Sequence, residues 1–143
     1  MKTNRFWPAA AAATLLMLLL LAGCSLSSPS RNDFIGTWVG RMGHHQAVLV
    51  LREDGHFSVD NVPRAVFDAK ATTSNLDWTE VQDLTGTWGL KSDGSLRFKI
   101  DANETFVGYD TSLSTTGLGV GLELTHRVGP IDNNVFFVFV RVR

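Results

Sequence analysis

Asp93-Gly94-Ser95-Leu96-Arg97-Phe98-Lys99-Ile100 decides the fold. The Asp-Gly pair calls for a tight turn whose backbone enters positive φ. Leu96, Phe98 and Ile100 then alternate with Ser95, Arg97 and Lys99, the period-2 pattern of a strand with one wet face. Both signals recur along the chain. Asp54-Gly55 precedes Phe57 and Val59, and Leu118-Gly119-Val120-Gly121-Leu122-Glu123-Leu124-Thr125 alternates with glycines on its second face. Ala47–Leu51 and Val135–Val142 are apolar on both faces and read as central or closing strands. Asn103-Glu104 and Asn133-Asn134 are weaker turns. Roughly eight strands at this spacing make an all-β domain, a single antiparallel meander closed as a barrel or opened as a β-sandwich. Pairing of Val135–Val142 with both Thr37–Arg41 and Leu118–His126 gives the barrel, and an edge-exposed last strand gives the sandwich. Pro63–Glu80 lacks the alternation and reads as a long loop with a short helix near Ala65–Ala69.

Gly-Thr-Trp occurs twice, at Gly36-Thr37-Trp38 and Gly86-Thr87-Trp88. Each copy leads into a strand and later an Asp-Gly turn, but the intervals differ, so this is a pseudo-repeat and not a tandem duplication. A glycine two residues ahead lets the backbone bend while the indole covers one end of a core. Trp38 and Trp88 therefore read as core plugs, with ligand lining as the second role for either.

Ahead of this domain, Met1–Trp7 carries Lys2 and Arg5 and no acid, and Ala9–Ala22 is almost entirely Ala and Leu. Small Ala22 and Gly23 follow. This is the order of a secretory signal, and the apolar run is short of the roughly 20 residues of a membrane span. An uncleaved N-terminal membrane helix is the rival reading. Cys24 is the one cysteine of the chain, so no internal disulfide is available. Ser25–Asp33 is polar and Ser-rich, as a short tether is. The expected organisation is residues 1–23 as signal peptide, 24–33 as modified cysteine and tether, and 34–143 as the folded domain. Loss of Lys2 and Arg5 takes the formal charge from −1 to −3. A mildly acidic domain without a Lys/Arg run is a poor partner for nucleic acid.

Leu21-Ala22-Gly23-Cys24 resembles the lipobox of bacterial lipoproteins. The resemblance implies cleavage before Cys24 and a covalent lipid there, with more than one acyl chain (palmitate among them) as a stable anchor. It implies a place in the cell envelope: the outer membrane in a Gram-negative organism, the outer face of the cell membrane in a Gram-positive one. The paired Gly-Thr-Trp motifs, Leu51-Arg52-Glu53-Asp54-Gly55-His56-Phe57 and Val135-Phe136-Phe137-Val138-Phe139 resemble a group of small exported lipoproteins of unassigned function. Lipocalins likewise start their barrel with Gly-x-Trp and place an arginine near its end, where Arg141 or Arg143 would stand. That likeness implies a lipocalin-like barrel and no particular ligand.

Chemistry is sparse. His44, His45, His56 and His126 have no metalloprotease spacing and read as solvated turn histidines, so no metal is expected. Gly117–Gly121 lacks the spacing of a phosphate loop. Asp101, Asp110, Asp132, Glu104 and Glu123 offer no acid–base pair, and no serine sits in a Gly-x-Ser-x-Gly setting. Asn103-Glu104-Thr105 fits a glycosylation sequon by coincidence. No catalytic residue and no cofactor beyond the lipid on Cys24 is expected. Two roles are left for a non-catalytic envelope domain. One is binding of a small apolar ligand, with Trp38, Trp88, Phe137 and Phe139 as candidate lining. The other is a protein-interaction module: an envelope assembly factor, an inhibitor or an immunity protein.

Overall fold

The structure, a computed structural model, describes residues 29–68, 76–103, 110–116, 121–129 and 135–142. Its strands are β1 (Gly36–Met42), β2 (His45–Leu51), β3 (His56–Pro63), β4 (Val81–Leu90), β5 (Leu96–Ile100), β6 (Asp110–Thr116), β7 (Glu123–Arg127) and β8 (Phe136–Arg141). Each pairs antiparallel with the next. β8 returns to β1 in the register Trp38↔Arg141, Val39↔Val140, Gly40↔Phe139, and the sheet closes. The chain is an eight-stranded meander barrel, the closed alternative of the two that the sequence offers. Closure removes both edges, which open sheets must otherwise protect.

Alternation fills the barrel. β5 turns Leu96, Phe98 and Ile100 inward and leaves Arg97 and Lys99 in solvent, and Phe57 meets Phe98 edge-on at 4.9 Å across the interior. Two glycines make room where strands and rings crowd. A Cβ on Gly40 would lie 2.3 Å from Cε1 of Phe137, and one on Gly86 would lie 2.1 Å from the carbonyl oxygen of Lys99. Asn61 takes φ 58° beside a register shift between Val59 and Val62. Its backbone N–H donates to Asp83 Oδ1 at 2.7 Å, and its side-chain amide donates to the Gln46 carbonyl at 2.8 Å. Asparagine tolerates this conformation better than most residues.

Several elements differ from the sequence reading. Pro63 is the last residue of β3 rather than the start of a loop, and the expected helix near Ala65–Ala69 is a single 3-10 turn over Arg64–Val66. β7 begins at Glu123, not Leu118, because Gly121 and Leu122 are outside the ladder. β6 was not legible as a strand: in Asp-Thr-Ser-Leu-Ser-Thr-Thr only Leu113 is buried. Val135–Val142 is apolar on both faces, yet its outward Phe136, Val140 and Val142 are exposed, since closure covers edges and not the outer face. Order starts before Phe34: Arg31–Asp33 is a 3-10 helix whose Asp33 carboxylate accepts from the Ser30 N–H at 2.7 Å. Cys24, Ala69, the Glu104 half of its turn, Leu118–Val120, Asn133-Asn134 and Arg143 lie outside the described residues.

Candidate binding end of the barrel

The two ends of the barrel are built differently. One carries the Asp54-Gly55 and Asp93-Gly94 turns and the incoming N-terminal segment. Trp38 is fully buried there, and its indole N–H donates to the Phe34 carbonyl at 2.9 Å. Trp88 donates likewise to the Arg52 carbonyl at 3.0 Å. Arg141 lies over the Trp38 ring at 5.9 Å and donates to the carbonyls of Asp33 (3.0 Å) and Ile35 (2.7 Å). Arg31 covers Trp88 at 4.8 Å. Indoles, guanidinium groups and the buried Phe34 cover this end, with both indole N–H groups and the Arg141 guanidinium hydrogen-bonded to backbone carbonyls. The Gly-Thr-Trp pair thus places both tryptophans at one end, as plugs.

At the opposite end lie the described parts of the strap between β3 and β4, residues 64–68 and 76–80. Val66 and Phe67 of the strap are buried, and Trp78 packs between His45, stacked at 5.2 Å, and Phe137 at 6.0 Å. Phe137 in turn meets Phe139 edge-on at 4.9 Å, and Phe67 lies 4.9 Å from the His126 ring. His126 stands opposite Phe137 in the β7–β8 register. The sequence expectation for His126 is therefore corrected: it is a buried strand residue, not a solvated turn residue. Burial holds its imidazole pKa below the ordinary value, while the Ser112 and Val66 carbonyls pull the other way. His45 opens β2 and stacks on Trp78, whereas His44 and His56 are exposed.

Gln82 and His126 are the buried polar side chains among the described residues, at 8% and 9% exposure, and both belong to the strap end. Gln82 Nε2 reaches the Arg64 carbonyl at 3.4 Å, but its Oε1 has no partner. His126 Nδ1 and Trp78 Nε1 are also buried without a hydrogen bond. Native interiors leave few such atoms unpaired, and each costs about 1–3 kcal/mol. All three lie at the same end of the barrel.

The sequence-derived candidates divide accordingly. Trp38 and Trp88 stand at the sealed end, Phe137 and Phe139 run toward the strap end, and Cys24 lies outside the described residues. Gln82, Trp78, Phe67 and His126 were missed. The signal for two of them is present, since Gln82 shares its strand face with Leu84 and Trp88, and His126 shares one with Leu124. Elsewhere the carboxylates build turns. Asp54, Asp77 and Asp93 each accept from the backbone N–H two residues on, at 2.9, 2.8 and 2.9 Å. Hydrogen bonds from His56, Thr79 and Ser95 hold their pKa values below the usual carboxylate range. Among the described residues no three His, Cys, Asp or Glu side chains converge to hold a metal ion. Comparison with family models, curated proteins and solved structures finds no match for this chain.

Proposed function

We propose that this chain is a lipid-anchored, extracytoplasmic, non-catalytic binding module that takes a small apolar ligand at the strap end of its barrel. The observation that carries the reading is the set of unpaired buried atoms on Trp78, Gln82 and His126, surrounded by the rings of Phe67, Phe137 and Phe139. Ligand sites combine apolar lining with a few polar groups, and this end supplies both kinds of group. The anchor rests on the lipobox-like Leu21-Ala22-Gly23-Cys24. The chain enters the barrel at the sealed end, where Pro29 lies beside Gly94. Four residues lie between Cys24 and Pro29, a reach of about 17 Å from one to the other. The sealed end then faces the membrane and the strap end faces away.

Two measurements test this reading. Mass spectrometry of an organic extract of the purified protein is expected to find a co-purifying apolar molecule near one equivalent, and a clean extract counts against the ligand. Labelling with a clickable fatty acid is expected to mark the wild type and not Cys24→Ser, which should leave the membrane fraction while staying folded. Membrane retention without label would sink the anchor. A second reading, a protein-interaction module, draws on the outer face of β1 and β8. Val39 there is buried outside the core, with Val48 and Val140 as its register neighbours and Phe136 and Val142 exposed nearby. A stable envelope protein in a pull-down, together with a clean extract, would favour it.

A further inference from the structure

The three unpaired atoms differ in kind, and the difference bears on the ligand's head group. An indole N–H only donates, so Trp78 Nε1 needs an acceptor. An amide oxygen only accepts, so Gln82 Oε1 needs a donor. His126 Nδ1 is one or the other according to tautomer, and a hydroxyl satisfies it in both.

A relay of contacts connects the three residues at this end. Gln82 contacts the Arg64 carbonyl at the start of the 3-10 turn, and the Val66 carbonyl at its end lies beside the His126 ring. Phe67 then covers His126, and Phe137, opposite His126 in register, touches Trp78. Among the described residues no buried lysine, arginine, aspartate or glutamate accompanies them.

Resting on the binding function proposed above, we infer that the ligand is a neutral amphiphile whose head group both donates and accepts hydrogen bonds, a hydroxyl or primary amide, rather than a carboxylate or an amine. A carboxylate would leave Gln82 Oε1 without a donor, and an ammonium would leave Trp78 Nε1 without an acceptor. The neutral head bridges Trp78, Gln82 and His126, and its apolar chain lies against Phe67 and Phe137.

The test uses the full chain in lipid nanodiscs, titrated at pH 7.5 with decanol, decanoate or decylammonium at matched free concentrations. Binding is read from the tryptophan fluorescence that a Trp78→Phe control lacks and from the His126 ring nitrogen shifts. Decanol is expected to bind at least tenfold more tightly than either charged analogue and to move the His126 signals. Gln82→Leu, which removes the unpaired acceptor and keeps an apolar side chain there, should narrow that preference at least threefold. Its circular dichroism verifies that it folds. Decanoate or decylammonium binding as tightly as decanol would overturn the head-group inference and leave the binding function standing. No binding of any of the three would overturn both.

Discussion

Trp38 and Trp88 are the residues on which the core depends most visibly. Each fills the sealed end with a large apolar surface and spends its N–H on a chain carbonyl. Trp38→Ala and Trp88→Ala should each lower stability by about 3–5 kcal/mol in urea titration, a large share of the ~5–15 kcal/mol of an ordinary domain. Arg97→Ala should change little, because its ion pair with Asp110 is solvent-exposed. Comparable small losses at all three positions would contradict the burial pattern. His126 gives a pH signature. Its folded pKa is depressed, so the unfolded chain takes up a proton first as the pH falls below about 6.5. The stability its neutral ring contributes is present above that pH and is lost as the pH falls toward the lowered folded pKa. Urea titrations at pH 7.5 and 5 should show this decline in the wild type and a flatter response in His126→Phe. The depressed carboxylates act in a separate window, below about pH 4. Trp88 and Trp38 were legible from their Gly-Thr-Trp settings, whereas the role of His126 was not, since a histidine amid Leu-Thr-His-Arg gives no direct reading of what lies across the barrel.

At the scale of elements, β8 carries closure. It pairs with β7 from Glu123↔Val140 to Arg127↔Phe136 and with β1 through Val39↔Val140. Amide exchange should be slow along both flanks of Val138–Val140, with protected partners in β1. Fast exchange along the β1 flank would mean an open sheet. Gly40 matters to the same seam, because the Phe137 ring occupies the space its side chain would take. β5, with its clean alternation, was readable, and so was the apolar β8. β6 was not, because its ladder is sustained by neighbours on either side and only Leu113 supplies an inward anchor. The strap was readable only as an interruption. Its burial of Val66 and Phe67 has no periodic signature in the sequence.

For the whole molecule, the two barrel ends divide the work. The N-terminal segment seals one end, with Arg141 tying the last strand to the Asp33 and Ile35 carbonyls. Removal of Ser25–Ser28 should therefore leave thermal stability unchanged, whereas removal through Asp33 should lower the melting temperature by unseating the Arg31 and Arg141 contacts. Equal melting temperatures for the two truncations would show that the seal contributes nothing. The sequence by itself determined the all-β class, the turns at Asp54-Gly55 and Asp93-Gly94, the two plugging tryptophans and the apolar last strand. Each of these is written in local periodicity or turn chemistry, which acts over a few residues. Tertiary structure alone decided that the sheet closes, that both tryptophans share one end, and that Trp78, Gln82 and His126 gather unpaired at the other. Those facts depend on register across strands far apart in the chain, where the cost of an unmatched polar atom is set by neighbours that no local pattern names.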